Sequence, residues 1–431
     1  MTTALIGFAI LIALSLTGIP LAFATLLVGF VGFWFVRDWD SAVAMSGQQI
    51  AEMITNPNLV VVPIFVLMGE FIRRGRIADE LYEFGNAVVG WLRGGVAMST
   101  VLACGAFSAV CGSSIATAAT MTKVAMPPMR SYGYRDSLSA GTIAAGGTLG
   151  ILIPPSIPMV IYCIFAREDI GLMFIAGIVP GALMMLAFII TISIWVRFDP
   201  KIAPSSSSMD WAQRTAAIKK TWAFVALFSV VLGGIYLGVF TPTEAASVGA
   251  IGAWLFAVAR GTMRTLRDYL EVMGGAVGIS ASIFAIASCA LVFTQFVTIT
   301  GLPYALLDLV TSWGLHDVIL VLAIGALCIL LGMVFEVLGI LVLIVPMFLP
   351  TLEAQGIDLI WFGVLVIILV ELGLITPPVG VNVFTVKAAQ PDLKLTHIFI
   401  GVGPFAIAML VTAALIVAFP QIATGLPNLM R

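Results

Sequence analysis

Two short motifs place paired prolines at the end of a long apolar segment. The first, LGILIPP, covers residues 149–155, and the second, LGLITPP, covers residues 372–378. Proline has no amide hydrogen and restricts the residue before it, so the carbonyl groups ahead of each pair lose their helical hydrogen-bond donors. Free carbonyls concentrate partial negative charge, which suits a dehydrated Na⁺ ion. Each motif therefore predicts an oxygen-lined cation site.

Turn residues also interrupt apolar sequence at two other places. One segment has Gly-Ser-Ser at 112–114 and is flanked by Arg93 and Arg130. Because Lys and Arg mark the cytoplasmic side of a membrane, both of its ends are expected on that side. We therefore predict a re-entrant hairpin with its tip at 112–114, and a counterpart with its tip near 335–339. Two ordinary spans, or one long tilted helix, are the alternatives.

Each hairpin tip is expected to lie beside one proline motif and to complete a cation site there. Irregular backbone at membrane depth is tolerated where it is buried in protein or lines a cavity, and the first tip adds two serine hydroxyls. The residues of the first predicted Na⁺ site are Ser113, Ser114, Gly150, Ile153 and Pro155, and those of the second are Val337, Gly339, Gly373, Thr376 and Pro378. The alternative is that the prolines only kink packed helices.

Three polar residues follow the breaks and are candidates for binding an anionic substrate. Thr117, Ser156 and Asn382 lie just past the interruptions, where the unpaired amides of a helix N-terminus attract anions. No Lys or Arg lies between residues 94 and 122, so a carboxylate there would depend on amides, hydroxyls and nearby cations. For Asn382, a hydrogen bond between two helices is the alternative.

Acidic residues inside apolar sequence are candidates for coupling ion movement to transport, because ionisable groups in a membrane are costly. Glu336 at the second tip and Glu371 beside the second motif are the two candidates. Glu70 is expected to form a salt bridge with the arginines that follow it. Glu244, in the sequence Thr-Pro-Thr-Glu, is expected to cap a helix.

Composition sets the class of protein. Of 431 residues, 61% are hydrophobic and 10% are charged, and the mean hydropathy is +1.14. A soluble domain carries roughly 25% charged residues, so lipid must be the solvent for most of this chain. The net charge of −2 indicates no nucleic-acid partner. The five cysteines form no metal motif, and no HExxH, P-loop or GxSxG sequence is present, so an enzyme is not expected.

The two halves of the chain resemble each other. Gly150 recurs as Gly373, and Pro127 recurs as Pro350, both 223 residues further on. Several equivalent loops are basic in one half and neutral or acidic in the other, so equivalent loops are expected on opposite sides of the membrane. The sequence thus predicts an all-α polytopic membrane protein built from two inverted-topology repeats, each with a re-entrant hairpin and a broken helix.

These motifs occur in an order that resembles the large membrane subunit of TRAP transporters, the DctM or SiaM type. The similarity covers essentially the whole chain and lies in Gly-Ser-Ser at 112–114, the first proline motif, TPTEAA at 241–246 and TPPVGVN at 376–382. It implies Na⁺-coupled import of an organic acid by an elevator mechanism in a bacterial inner membrane. The implied partners are a periplasmic substrate-binding protein (DctP/SiaP type) and a small membrane subunit (DctQ/SiaQ type).

The resemblance also divides the chain into moving and static parts. The predicted units are scaffold helices with an interfacial helix at 1–93, a first transport repeat at 94–196 with hairpin 94–127 and broken helix 137–166, a polar linker at 197–220, scaffold helices with an interfacial helix at 221–316, and a second transport repeat at 317–431 with hairpin 317–350 and broken helix 359–389. A secondary transporter or antiporter that needs no binding protein is the alternative function.

Overall fold

The computed structural model describes residues 2–75, 77–204, 209–312 and 317–430, and its regular elements there are helices. The helices before the polar linker are α1 (Thr2–Leu16), α2 (Leu21–Val36), α3 (Trp39–Thr55), α4 (Val61–Arg74), α5 (Ile77–Val89), α6 (Gly95–Cys111), α7 (Ser114–Ser131), α8 (Asp136–Leu152), α9 (Ile157–Ala166) and α10 (Ile170–Phe198). Those that follow are α11 (Trp211–Lys220), α12 (Trp222–Tyr236), α13 (Pro242–Ala259), α14 (Leu266–Ile299), α15 (Leu302–Ser312), α16 (Asp317–Gly332), α17 (Val337–Ala354), α18 (Leu359–Ile375), α19 (Val381–Ala389), α20 (Leu395–Ala418) and α21 (Gln421–Asn428). The all-α class is confirmed.

Several helices are long and apolar enough to cross a bilayer. Five qualify individually among the described residues, and three bent helix pairs qualify when each pair is taken together. Large apolar side chains such as Leu5, Phe23 and Phe35 are exposed on the outer helices, which is the arrangement that lipid favours and water does not. The chain is a multi-pass membrane protein.

The helix boundaries repeat with the register of the sequence. Helices α7 and α17 begin 223 residues apart and end 223 residues apart, and the same holds for α8 and α18. Helix α2 packs against α14, and its counterpart α13 packs against α4. A helix of each half thus packs against the equivalent helix region of the other half. A two-fold axis between the halves produces this arrangement. The inverted orientation of the halves in a membrane stays a prediction.

Local sequence chemistry sets the start of helix α13. The Thr241 amide donates to Glu244 Oε2 at 2.8 Å, and the Glu244 amide donates to Thr241 Oγ1 at 3.3 Å. These reciprocal bonds satisfy two amides that a helix start leaves unpaired. The expected capping role of Glu244 is confirmed.

Some segment boundaries differ from the expectation. The interfacial helix expected within 221–316 is not a separate element at the start of α14, because α14 begins at Leu266 and continues to Ile299 without a proline or turn to end it. Part of the expected polar linker, Trp211–Lys220, is the helix α11. Residues 205–208 of that linker, and the expected boundary at 316, lie outside the described residues.

Candidate functional site

The first proline motif ends helix α8 and leaves carbonyl groups without donors. Helix α8 stops at Leu152, and α9 starts at Ile157. The Ile153 amide donates to the Leu149 carbonyl at 3.0 Å. The next two carbonyls, those of Gly150 and Ile151, would take the amides of residues 154 and 155, which are prolines. Their lone pairs therefore point into the break.

The second motif ends helix α18 in a similar way, but more of the carbonyls near this break accept hydrogen bonds. Helix α18 stops at Ile375, and α19 starts at Val381. The Thr376 amide donates to the Gly373 carbonyl at 3.0 Å, and the Thr376 hydroxyl donates to the Leu372 carbonyl at 2.6 Å. Thr376 therefore occupies one lone pair on each of two carbonyls near this break.

Helices α6 and α7 form the first hairpin, with a left-handed Gly112 (φ +60°) at the turn. Ser108 Oγ lies 3.4 Å from Thr117 Oγ1, and Thr100 Oγ1 lies 3.6 Å from Met129 Sδ. Residues progressively further from the turn thus pair along the two helices, which is an antiparallel hairpin. That both ends lie on the cytoplasmic side stays a prediction.

The first tip packs directly on the first break. Ser113 caps α7 by accepting from the Ala116 amide at 3.3 Å. A Cβ atom added at Gly150 would lie 3.0 Å from Ser108 Oγ and 3.5 Å from the Ser113 carbonyl carbon. The tip and the break therefore touch where the sequence predicts the first cation site. Pro155 is buried there, and Ile153 is partly buried.

The second tip also reaches its own break, but part of it turns elsewhere. The Gly380 amide donates to the Met333 carbonyl at 3.3 Å, and a Cβ added at Gly373 would lie 2.6 Å from Gly332 Cα. Gly339, by contrast, lies against Leu21 of α2, so the structure places it on the scaffold side of α17.

Other predicted residues of the second site differ in exposure. Val337 is buried and lines the cavity described below. Pro378 is exposed and Thr376 is partly buried.

Each repeat buries a polar residue just after its break. Asn382 Nδ2 donates to the Ala144 carbonyl of α8 at 3.5 Å, while Asn382 Oδ1 and Ser156 Oγ are buried with no hydrogen-bond partner in the described part of the chain. Thr117 is fully buried beside Ser108. The three candidate substrate residues are thus buried, and two of them hold an unused oxygen.

Glu371 is a buried carboxylate at the junction of the repeats. It is 1% exposed, and neither of its oxygens makes a hydrogen bond to a described residue. The Ser114 hydroxyl of the first tip is a polar neighbour of this carboxylate but makes no hydrogen bond to it. Glu371, which belongs to the second repeat, therefore faces the first predicted cation site.

A cavity of about 330 Å³ lies between the two tips and the helices α4 and α14. Residues 112–114 of the first tip and 336–338 of the second line it, together with Glu70 and Arg73 of α4. Its other walls are mostly apolar. Glu336 lines this cavity and is exposed, so the two acidic candidates separate into a buried one and an exposed one.

Arg73, like Glu70, lines the cavity although the sequence assigned neither residue to the site. Its salt bridge with Glu70 is confirmed at 2.5 Å, but the pair faces the cavity between the tips. The signal in the sequence was a lone Glu-x-x-Arg at the end of an apolar helix, and only packing decides what such a pair faces.

Charged residues at the base of the first hairpin tie the two repeats together. Arg130 Nε lies 2.9 Å from Asp136 Oδ1, and Arg130 Nη2 lies 2.7 Å from Asp392 Oδ2. The hydrogen bond from Arg130 lowers the pKa of Asp392, which lies in the loop after α19. The Arg130 and Asp392 side chains are partly exposed to solvent. Their ion pair therefore orients the loop more than it stabilises the fold.

Comparison with known proteins shows the family to which this chain belongs. The family described as "Tripartite ATP-independent periplasmic transporter, DctM component" matches residues 8–422. The chain belongs to this family. It is similar to the C4-dicarboxylate TRAP transporter large permease protein DctM of Rhodobacter capsulatus, with 32% identity over 447 residues covering 99% of each chain.

Another relative has a different substrate in its name. The sialic acid TRAP transporter large permease protein SiaM of Vibrio cholerae is 30% identical over 421 residues, which cover 97% of each chain. The fold is shared with the solved YdaH transporter of Alcanivorax borkumensis, with a TM-score of 0.65, 14% identity and 90% of each chain covered. The relatives are permeases, so the chain is a transporter subunit and not an enzyme.

Proposed function

We propose that the chain is the large membrane subunit of a Na⁺-driven importer of an organic acid in a bacterial inner membrane. Its proposed partners are a periplasmic substrate-binding protein and a small membrane subunit. The observation that carries the proposal is the packing of the first hairpin tip on the first helix break, beside a buried carboxylate without a partner among the described residues and next to a cavity that both tips line. A buried oxygen without a donor is costly unless a cation or a ligand satisfies it.

The cation sites are assigned to the tips and the breaks. The first is proposed to use the carbonyl of Gly150 with Ser113 and Ser114, which the packing of tip on break supports. Glu371 is proposed to complete it, since its carboxylate is buried, unpaired among the described residues and close to Ser114. A cation held there would neutralise a charge that is otherwise expensive in a membrane.

The cavity between the tips is proposed to hold the organic acid. Arg73 gives it a cation for a carboxylate, and its volume of about 330 Å³ is near the small end of the roughly 300–1,000 Å³ typical of ligand pockets. Both tips line it, so binding of a cation beneath either tip would be felt by the bound acid. Movement of the tips and broken helices against α4 and α14 would carry the acid across, as in an elevator.

Uptake into proteoliposomes tests the proposal. The chain is purified with its small subunit and supplied with its binding protein, and the labelled probe is the organic acid that most stabilises that binding protein in a thermal-shift screen. An inward Na⁺ gradient should raise uptake about tenfold over a K⁺ gradient, because the cation supplies the driving force. Equal uptake in the two gradients would reject the coupling.

Leaving out the binding protein separates the proposal from a transporter that works alone. Uptake should then fall to the level of empty liposomes. Full uptake by the chain without the binding protein would instead favour an independent transporter or antiporter.

A further inference from the structure

The cavity between the tips carries an unbalanced charge. Its described lining holds three charged side chains, Glu70, Arg73 and Glu336. Glu70 and Arg73 pair with each other, so their charges cancel. Glu336, on the second tip, is left as a carboxyl group without a charged partner in the described part of the chain.

Arg73 keeps donors for a ligand although it is paired. Its Nε donates to both Glu70 oxygens, at 3.2 and 3.1 Å, and its Nη2 donates to Oε2 at 2.5 Å. A guanidinium has five N–H donors, and Nη1 takes no part in this pair. The side chain is 51% exposed, so Nη1 can meet a carboxylate in the cavity.

Glu336 is an acidic residue and, unlike Arg73, is not part of an ion pair between described residues. It stands at the N-cap of α17 without making a cap hydrogen bond, and its carboxylate has no hydrogen-bond or ion-pair partner within the described ranges. A ligand in the cavity therefore meets an uncompensated carboxylate at this end.

We propose that Arg73 and Glu336 together select a zwitterionic amino acid-type cargo, with its carboxylate toward Arg73 and a cationic group toward Glu336. The inference depends on the proposed function of the cavity as the cargo site. A dicarboxylate would place its second charge against Glu336, where like charges repel. The small volume favours a compact molecule in which the two charged groups are a few bonds apart.

A matched set of ligands tests this selection directly. Labelled 4-aminobutyrate, butyrate and succinate share a four-carbon chain and differ in the charge at one end. Binding is measured by scintillation proximity on the chain copurified with its small subunit in nanodiscs, in Na⁺ buffer. The wild-type complex should bind 4-aminobutyrate about tenfold more tightly than succinate, because only the amine complements Glu336.

Variants test whether Glu336 and Arg73 cause the preference for 4-aminobutyrate over succinate. Glu336→Gln should remove the preference by weakening 4-aminobutyrate and strengthening succinate, whereas Glu336→Asp should keep it. The double change Glu70→Gln with Arg73→Gln should weaken all three ligands without leaving an unpaired charge. Glu353→Gln, on the same helix but away from this cavity, is the matched control and should change nothing.

Three results would overturn the inference. They are wild-type binding of succinate as tight as that of 4-aminobutyrate, no binding of 4-aminobutyrate, or an equal loss for all ligands in Glu336→Gln. Each leaves the proposed function standing if Na⁺-driven uptake occurs in proteoliposomes, so the two failures are distinguishable.

Discussion

The two proline motifs fold alike but end in different surroundings. Both stop a helix at the same point of the repeat, at Leu152 and Ile375. Pro154 and Pro155 of the first motif are buried, whereas Pro377 and Pro378 of the second are exposed. Duplicated sequence therefore gives the same local break, and packing makes one break an interior site and the other a surface site.

The partners of the two breaks differ as well. Glu371 approaches the first tip, and the residue at the equivalent place in the first repeat is Thr148, whose hydroxyl donates to Ala145 of its own helix at 2.6 Å. Of the two breaks, the first has a carboxylate of the other repeat beside it, and the residue at the equivalent place for the second is an uncharged threonine. The two predicted cation sites are expected to bind cations with unequal strength, because a carboxylate adds a full charge to partial ones.

Removal of the carboxylate tests this inequality and should have the largest effect. Glu371→Gln should lower Na⁺-driven uptake about 100-fold, equivalent to roughly 2.8 kcal/mol, because a charged ligand of the buried site is lost. Thr148→Val, at the equivalent position, is the control and should leave uptake within about twofold, since its hydroxyl bonds the Ala145 carbonyl of its own helix and otherwise makes a weak contact with Met409 Sδ at 3.9 Å.

The stability of Glu371→Gln shows whether Glu371 binds the cation or only stabilises the fold. The thermal midpoint of Glu371→Gln should stay level or rise, because a buried carboxylate without a partner is a cost to the fold. A fall in midpoint that matches the fall in uptake would contradict the prediction.

The glycines of the two motifs should differ in their tolerance of a methyl group. A Cβ at Gly373 would lie 2.6 Å from Gly332 Cα and from the Ile329 carbonyl, which are backbone atoms. At Gly150 the closest atoms, at 3.0 Å, belong to the Ser108 side chain. Gly373→Ala should therefore cost about 2 kcal/mol of stability through overpacking, and Gly150→Ala distinctly less.

Thermal unfolding of the purified chain in detergent measures both glycine variants. Gly403→Ala is the control, because nothing lies within 4 Å of a Cβ there. Equal midpoints for Gly150→Ala and Gly373→Ala would show that the two breaks are packed equally tightly.

Chemical labelling should report the difference in exposure. Ile161 on α9 is 1% exposed, and Phe384, the equivalent residue on α19, is 44% exposed. In a background with the native cysteines replaced, Phe384→Cys should react with a small maleimide about tenfold faster than Ile161→Cys, because burial removes access to the thiol. The measurement uses the chain in detergent, and equal rates would remove the contrast between the breaks.

The smallest effect is expected at Thr376. Thr376→Val removes the 2.6 Å hydrogen bond to the Leu372 carbonyl, which should cost about 1 kcal/mol. Ile153→Val, at the equivalent position of the first motif, removes only a methylene from a partly buried side chain and should cost about 0.5 kcal/mol. A larger loss at Ile153 would show that the first break depends more on packing than we infer.

The sequence by itself determined the class of protein and the position of its breaks. Mean hydropathy of +1.14 excludes a soluble fold, and each proline pair removes two successive amide donors, which ends the helix at both motifs. Capping by Glu244 and the pairing of Glu70 with Arg73 were predictable for the same reason. These effects act between residues that are near one another in the chain.

Only the tertiary structure decided what each break and each charge faces. The approach of Glu371 to Ser114, the exposure of Pro378 and the cavity that Arg73 shares with Glu336 join residues that are far apart in the sequence. Two motifs that share their leucine, glycine and proline pair cannot encode different surroundings on their own. The difference arises because each motif packs against helices of the other repeat, and the side chains of those helices are not duplicated.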